Sequence, residues 1–264
     1  MFWYIVSTNI TWRVHIKHIS FCGLCFVLAI FTRTVDASPP IKFFVWSDDL
    51  APILYLDQQT KVYGGIVIDI FSAGNLAVKY TRHNRNRGEE ALYLGELDAA
   101  ILSKEWVRHP DKLVYSLPIY VHKEFLYANH PIADKPLSEL LPNKIICTRR
   151  GYVYPKIDAF FKSKVSLRID SHIEATQFEM LRRHRCDFVV TNEFVGQWII
   201  EKNAWGKDIY RSKTPIDEVD FTFAVHPKNQ DFLDVLNLNI NQLTQSGELQ
   251  KIILQQRRSI STND

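Results

Sequence analysis

The sequence predicts an α/β protein of two similar lobes, each a mostly parallel sheet flanked by helices. From residue 41 onward, short apolar runs of strand length alternate with amphipathic helical segments, the pattern of a parallel sheet covered by helices. This alternation occurs twice. GELDAAILSK (95–104) and RCDFVVTNE (185–193) each place a turn and an Asp before an apolar run that ends in polar residues. We interpret them as the third strand of each lobe.

The first lobe is predicted from a strand–helix–strand–helix–strand series. Ile66, Ile70 and Phe71 share one face of its first helix and would cover the sheet. The predicted strands are 41–46, 78–83 and 98–102, and the predicted helices are 64–74 and 87–97.

The second lobe is predicted from the same series. Ser171, followed three residues later by Glu174, has the pattern of a helix N-cap, so a helix is predicted to begin there. The predicted strands are 143–148, 165–169 and 187–191, and the predicted helices are 154–163, 171–184 and 193–203.

Two alternating segments are predicted to cross between the lobes and to act as a hinge. They are KEFLYANHP (123–131) and VDFTFAVHP (219–227), and both end in His-Pro. Residues 229–256 are predicted helices that return to the first lobe. Ligands of open α/β sheets bind beyond the carboxyl ends of the strands, so two facing lobes predict a cleft. The predicted lobes are residues 38–125 together with 226–264, and residues 126–225.

The N-terminal segment has the plan of a secretory signal peptide. Arg13 and Lys17 precede the apolar run Ile19–Phe31, and Val35 and Ala37 are the small residues of a cleavage site. We predict a signal peptide over residues 1–37 and export to the periplasm. A membrane anchor is the alternative, although the apolar run is shorter than the roughly 20 residues that a spanning helix needs.

Composition and motifs exclude several classes of function. The 32 Lys and Arg nearly balance the 29 Asp and Glu, and no long basic run predicts nucleic-acid binding. No Cys/His spacing predicts a metal site, and no G-x-S-x-G, H-E-x-x-H or Walker motif predicts catalysis. We therefore expect no cofactor, no metal and no enzymatic activity.

Two cysteines, Cys147 and Cys186, remain after the predicted cleavage site. Cys147 falls late in one predicted strand and Cys186 just before another. In parallel strands these positions are at opposite ends of the sheet, beyond the Cα separation that a disulfide bridges. We expect two free thiols.

The chain resembles the type 3 periplasmic (extracytoplasmic) solute-binding proteins that serve amino-acid ABC transporters. The resemblance covers residues 41–256, and it rests on the order and spacing of several short motifs. These are AP (51–52), YGGIVIDI (63–70), LGELDAAI (94–101), YSLPIY (115–120), RGYVY (150–154) and CDFVVTNE (186–193). It implies the two-lobed periplasmic-binding-protein type II fold, a monomer, a small polar solute, either an amino acid or a related carboxylate, and an ABC transporter permease as partner.

The resemblance also implies ligand-binding residues. In that family an Arg from the first lobe holds the ligand carboxylate and an Asp from the second lobe holds its ammonium. Arg108 is the counterpart of the Arg, whereas Asn192 occupies the Asp position with Glu193 beside it. Gly151 and Tyr152 would offer backbone N–H groups to the carboxylate.

Further positions complete the expected site. Leu50 stands where the family usually has an aromatic residue, so Trp46 and Trp106 are expected to stack on the ligand. Ser103, at the polar end of a predicted strand, is included among the ligand-binding residues. Asp69 and Asp98 are expected to have structural roles and are excluded from the site.

Two other functions remain open on this scaffold. A periplasmic dehydratase of the cyclohexadienyl (prephenate/arogenate) type would use a cleft acid, with Glu193 and Arg108 as its nearest equivalents here. Such an acid would have a raised pKa, which separates the enzyme from a binding protein. The third possibility is a sensory binding protein.

Overall fold

The computed structural model describes residues 39–47 and 49–258. The predicted signal peptide lies outside the described residues. Within the described part of the chain, no helix is both long and apolar enough to cross a membrane.

The described residues form strands and helices in nearly the predicted order. The strands are β1 Ile41–Val45, β2 Asp49–Leu50, β3 Leu54–Leu56, β4 Tyr63–Gly64, β5 Val78–Arg82, β6 Ala99–Ile101, β7 Val114–Tyr115, β8 Tyr120–Ala128, β9 Ile145–Arg149, β10 Leu167–Ser171, β11 Phe188–Asn192, β12 Tyr210–Arg211, β13 Asp217–Phe221 and β14 Phe223–Val225. The α-helices are α1 Ile66–Ala73, α2 Arg85–Tyr93, α3 Leu137–Leu140, α4 Asp158–Lys162, α5 Glu174–Arg182, α6 Glu193–Lys202, α7 Gln230–Gln245 and α8 Glu248–Arg258.

Two large sheets share one topology. The first has the strand order β5-β1-β6-β14-β7, and the second has the order β10-β9-β11-β8-β12, with β13 also paired to β8. In both, the first three strands are parallel and the next one is antiparallel. A small third sheet has the order β2-β3-β4. The predicted α/β architecture of two similar sheets is therefore confirmed.

The repeated Asp of the two similar sequence segments ties neighbouring strands together. Asp98 accepts a hydrogen bond from the Lys42 N–H at 2.8 Å, and Asp187 accepts one from the Ile145 N–H at 2.8 Å. In return, the Asp98 and Asp187 N–H groups donate to the carbonyls of Lys42 and Ile145. Each Asp thus closes the start of the central strand against the third strand, which explains why the segment occurs twice.

The chain crosses twice between the sheets. The first crossing lies between β7 and β8, and the second lies at Thr222, between β13 and β14. Thr222 is buried, and its hydroxyl donates to the Leu102 carbonyl at 3.1 Å. Because β8 belongs to the second sheet from Tyr120 onward, the lobe boundary after residue 125 falls inside a strand of that sheet. The division into lobes at that residue stays a prediction.

The prediction of two free thiols was wrong. Cys147 and Cys186 form a disulfide with a Cα–Cα distance of 5.9 Å. Strand β9 begins at Ile145, so Cys147 lies in its middle and not near its end. The strands β9 and β11 are direct neighbours, with Val189 opposite Cys147. Cys186 therefore lies only three residues from that register position.

The predicted N-cap of α5 was also wrong. Ser171 is the last residue of β10, and α5 begins at Glu174 after Ile173. The Ser171 hydroxyl accepts from the Ile173 N–H at 3.1 Å and donates to the Ile173 carbonyl at 3.0 Å. The side chain thus shapes the turn before the helix and does not cap the helix itself.

Reduction of the disulfide is expected to destabilise the protein. The bridge closes a loop with a sequence separation of 39, and loops of this length contribute about 2–4 kcal/mol to the free energy of unfolding. For a chain of this size, the melting temperature should fall by roughly 5–15 °C. Thermal unfolding with and without dithiothreitol measures this. The double variant Cys147→Ala/Cys186→Ala should melt at the lower temperature and should not respond to the reductant; a response there would contradict the assignment.

Removal of either repeated Asp should loosen one sheet. Asp98→Ala and Asp187→Ala each leave a strand N–H without its partner, which costs about 1–3 kcal/mol. Denaturant unfolding measures the change, and Asp134→Ala, at an exposed loop position, is the control, expected within about 0.5 kcal/mol of the parent.

The effect of Asp98 should depend on pH. Burial alone would raise its pKa, but hydrogen bonds from the Lys42 N–H, Lys228 and Asn229 hold the pKa below its usual value. A depressed pKa contributes stability above the unfolded-state pKa of about 4, and this contribution is lost as the pH falls through the folded-state pKa. The difference between the parent and Asp98→Ala should therefore narrow below about pH 4; a constant difference would contradict the charged role of Asp98.

Candidate functional site

A cavity lies between the two sheets, at the carboxyl ends of their parallel strands. Trp46 follows β1 and Leu102 follows β6, while Arg149 ends β9 and Asn192 ends β11. The cavity holds about 70 Å³, which is smaller than the roughly 300–1,000 Å³ of typical small-molecule sites. The predicted position of the cleft agrees with this geometry.

The wall of the cavity is mostly apolar and aromatic, with a few ionisable side chains. The lining residues are Trp46, Leu50, Ile53, Arg85, Ile101, Leu102, Trp106, His122, Glu124, Arg149, Tyr152, Val153, Tyr154, Glu174, Val190, Thr191, Asn192, Val195 and Phe221. Within the described residues, no group of three or more His, Cys, Asp or Glu side chains has the arrangement of a metal site. The charged side chains of the cavity wall are Arg85, Glu124, Arg149 and Glu174.

Arg85 is the buried cation from the first lobe. It is the first residue of α2, and its exposed fraction is only 7%. Its guanidinium pairs with Glu89 at 2.6 Å, donates to the Trp106 carbonyl at 2.8 Å, and lies 5.3 Å from the ring centroid of Trp46. Burial lowers the pKa of Arg85, while Glu89 opposes that change. The guanidinium is thus oriented from three sides before any ligand arrives.

Glu89 holds this cation in place. Burial alone would raise its pKa, but Arg85, the Tyr93 hydroxyl and Arg108 together hold the pKa below its usual value. Tyr93 donates to Glu89 at 2.5 Å, and the Arg108 N–H donates to the same oxygen at 2.9 Å. Glu89 therefore remains an anion that compensates the buried Arg85.

Arg149 is the buried cation from the second lobe. It ends β9, its exposed fraction is 6%, and it forms an ion pair with the equally buried Glu174. Its guanidinium also donates across the cleft to the Ser47 hydroxyl at 2.8 Å and lies 5.9 Å from the Tyr152 ring. Each lobe thus presents one arginine to the cavity, and each arginine has a glutamate partner.

The two lobes touch directly at the mouth of the cavity. The Trp46 indole N–H donates to the Tyr152 hydroxyl at 2.7 Å, next to the contact between Ser47 and Arg149. Gly151 has a φ of +81°, and a Cβ there would lie 3.4 Å from the Arg85 Cβ. The glycine is therefore favoured here by the left-handed turn, while a Cβ would only touch Arg85.

Five of the predicted site residues line the cavity: Trp46, Leu50, Trp106, Tyr152 and Asn192. The Trp106 ring meets His122 edge to face at a centroid distance of 4.7 Å. The Asn192 side chain has a structural role as well, because its oxygen accepts from the Phe194 N–H at 2.8 Å and caps α6.

Arg108 and Ser103 do not line the cavity. After β6 the chain makes a 3₁₀ turn that directs Trp106 into the cleft. Arg108 lies two residues later and contacts Glu89 at 3.2 Å and Glu90 at 3.5 Å with a half-exposed side chain. The buried Ser103 hydroxyl donates to the Asp220 carbonyl at 2.7 Å. Arg108 thus affects the site only indirectly, by contacting Glu89, which pairs with Arg85.

Gly151 and Glu193 also lie outside the cavity wall. Gly151 forms the turn at the mouth, as described above. Glu193 is the first residue of α6, and its carboxylate lies 3.7 Å from Arg211. Its position in the first turn of a helix is favourable for an anion without any ligand.

Four ionisable side chains of the cavity wall are absent from the site residues that the sequence predicts: Arg85, Glu124, Arg149 and Glu174. Arg149 is followed directly by Arg150. Successive strand residues face opposite sides, so the two arginines are told apart only by where β9 ends. Glu124 becomes visible only once β8 is known to pair with β11.

Solved structures share this fold. A chain solved in work on glutathione import via GshT and the cystine ABC importer TcyBC of Streptococcus mutans has a TM-score of 0.71 and 15% identity, over 83% of this chain and 95% of that one. The L-arginine-bound substrate-binding protein AbpA of Streptococcus pneumoniae has a TM-score of 0.66 and 17% identity, over 84% and 96%. The substrate binding protein of an amino acid ABC transporter has a TM-score of 0.64 and 23% identity, over 81% and 97%.

These likenesses define the fold of the chain. The protein has the two-lobed fold of periplasmic binding proteins, as the resemblance had implied. No protein-family model matches the sequence, and no curated protein matches it either.

Loss of the contact between the lobes should shift the balance toward an open cleft. Tyr152→Phe removes the hydroxyl that accepts the Trp46 N–H, and one such hydrogen bond contributes about 0.5–1.5 kcal/mol. The ratio of closed to open molecules should fall by a factor of roughly 2–12. Single-molecule FRET between dyes on the two lobes measures this. Tyr210→Phe, at an exposed tyrosine of β12, is the matched control, and an equal effect of both variants would contradict the role of Tyr152.

Proposed function

We propose that the protein is an extracytoplasmic solute-binding protein that closes its two lobes over an amino acid or a related carboxylate. The observation that carries this proposal is the pair Arg85 and Arg149. Both guanidinium groups are more than nine-tenths buried, both line one cavity, and each comes from a different lobe. Arginine holds carboxylates with two parallel hydrogen bonds.

A ligand that contacts both lobes stabilises the closed form. A solute changes the balance between open and closed forms only by its differential affinity for them. A carboxylate held by one arginine, with the rest of the solute against the opposite lobe, gains contacts that exist only after closure. The apolar and aromatic wall formed by Trp46, Trp106 and Phe221 adds area for stacking.

The cellular setting forms part of the same proposal. The predicted signal peptide would bring the protein to the periplasm as a monomer. There the closed form would present the solute to an ABC transporter permease. The structural neighbours are described as parts of amino-acid, cystine and glutathione import, and this supports the assignment of a transporter as partner.

Ligand-induced stabilisation tests the proposal. The purified protein is unfolded thermally with a panel of amino acids, organic acids, polyamines, small peptides and prephenate. A ligand at one hundred times its dissociation constant stabilises the protein by about 2.7 kcal/mol, which raises the melting temperature by roughly 5–11 °C. A carboxylate-bearing solute is expected to give this shift.

Arg149→Lys connects the shift to the cavity. Lysine keeps the charge that compensates Glu174 but loses the planar fork of arginine, so affinity should fall at least about 10-fold. Arg183→Lys, at an exposed position after α5, should leave the affinity unchanged. No shift with any carboxylate would overturn the proposal, and conversion of prephenate to a product would replace it with the dehydratase alternative.

A further inference from the structure

We propose that Glu124 accepts the ammonium group of the ligand and that it makes the cleft select amino acids over carboxylates without an amino group. This inference rests on the proposed function above and specifies the ligand class. It also changes the expectation from the sequence, which gave this role to Asn192 and Glu193.

Glu124 is a buried carboxylate in the wall of the cavity. It lies in β8, and its exposed fraction is 8%. Among the described residues, no side chain donates a hydrogen bond to it, and its ion-pair contact within 4.0 Å is His122, whose Nε2 lies 3.8 Å from a Glu124 oxygen. A buried carboxylate costs several kcal/mol unless a cation or hydrogen-bond donors compensate it.

His122 does not donate a hydrogen bond to Glu124. The Asn192 oxygen accepts from the Phe194 N–H, which fixes the orientation of the amide. The amide NH₂ therefore faces the His122 Nδ1, at 3.1 Å. The distance from His122 Nε2 to Glu124, 3.8 Å, is longer than a hydrogen bond. The Glu124 carboxylate is therefore available to a cation that enters the cavity.

Asn192 and Glu124 occupy equivalent positions on neighbouring strands. They are directly opposite in the antiparallel pair of β11 and β8, so their side chains are on the same face of the sheet. Asn192 has both ends of its amide engaged, one on Phe194 and the other on His122. The carboxylate available on this face is therefore one strand away, on β8, the first strand after the chain crosses into the second sheet.

The surroundings of Glu124 favour a cation over a neutral donor. Trp106 and Phe221 line the same cavity, and aromatic faces attract cations. His122 is stacked on Phe221 with an interplanar angle of 12°. On its other side, Glu124 is opposite Asp217 of β13, whose carboxylate accepts from the Glu218 N–H and is not part of the cavity wall. This second anion strengthens the local preference for a positive group.

The cavity thus presents opposite charges to one ligand. Arg85 and Arg149 provide the positive side, and Glu124 provides the negative side. A solute with a carboxylate and an ammonium group matches both. When a carboxylate without the amino group binds, Glu124 stays buried without a cation, and this costs free energy. The cleft therefore selects amino acids both by attracting their ammonium group and by disfavouring acids that lack it.

Paired ligands test this inference. Isothermal titration calorimetry compares each proteinogenic amino acid with the acid of the same skeleton that lacks the α-amino group, for example L-glutamate with glutarate and L-leucine with 4-methylpentanoate. The parent protein should prefer the amino acid at least about 10-fold. Glu124→Gln should abolish this preference by weakening amino-acid binding, while the affinity for the deaminated acid stays the same or rises.

Two further variants separate a binding role from a structural one. Glu193→Gln removes the carboxylate that follows Asn192 on α6. The preference for the amino acid should stay within about 2-fold of the parent, because a partly exposed ion pair such as that of Glu193 contributes little. In Glu124→Gln/Asn192→Asp the carboxylate moves to the opposite position on β11. This exchange should restore part of the preference, a result that a purely structural effect of Glu124 would not give.

Each contrary outcome overturns a defined statement. A preference that survives Glu124→Gln, or that is lost in Glu193→Gln, overturns the role of Glu124. Equal binding of both acids by the parent overturns the inference but leaves the proposed function, whereas no binding of either overturns both. If Glu124→Gln does not fold, Glu124→Asp retracts the charge by one methylene. It should weaken amino-acid binding more than binding of the deaminated acid, and equal losses would overturn the inference.

Discussion

The cleft depends on the requirement that a charge removed from water must have a partner. Arg85 and Arg149 are both buried between the lobes, where an unpaired guanidinium would destabilise the fold by several kcal/mol. Glu89 and Glu174 meet that requirement. The same pairing prevents the arginines from rotating freely, so they face the cavity in fixed orientations. In the proposed function, a ligand would bind to groups whose ordering is already complete, which lowers the entropic cost of binding.

The compensation of buried charge continues from the cavity wall to the surface of the protein. Glu89 must remain ionised to compensate Arg85, and it does so because Tyr93 and Arg108 both contact its carboxylate. Arg108 is half exposed, so it connects a buried charge to the solvent-facing surface. Arg108, which the resemblance assigns to the ligand, thus contacts Glu89 and does not reach the cavity. A motif match locates a segment, but the direction of each side chain determines whether it lines the cavity or contacts a residue behind the cavity wall.

Local patterns predicted the fold better than the site. Phe71 and Ile70 are buried because helical spacing puts them on one face, and that spacing is visible in the sequence. Leu94, which lies within the predicted helix 87–97, is 65% exposed, because the helix ends one residue before it.

The site required information that no single segment contains. The choice between Arg149 and Arg150 depends on where one strand ends, since a shift of one residue exchanges the two faces. The disulfide depended on two strands being neighbours, which the order of elements alone did not establish. Glu124 required the pairing of β8 with β11, two strands far apart in sequence.

The proposed role of Glu124 would couple recognition to closure. The chain passes between the sheets just before β8, so Glu124 lies close along the chain to the expected hinge. The contacts of Trp46 with Tyr152 and of Arg149 with Ser47 join the two lobes without a solute. In the proposed function, a ligand supplies the remaining free energy of closure. Compensation of Glu124 would be a large contribution of this kind, because this carboxylate is only 8% exposed. Under this proposal, closure is favourable when the solute brings a positive group and unfavourable when it does not, so one side chain would determine both which solute is held and whether the lobes close on it.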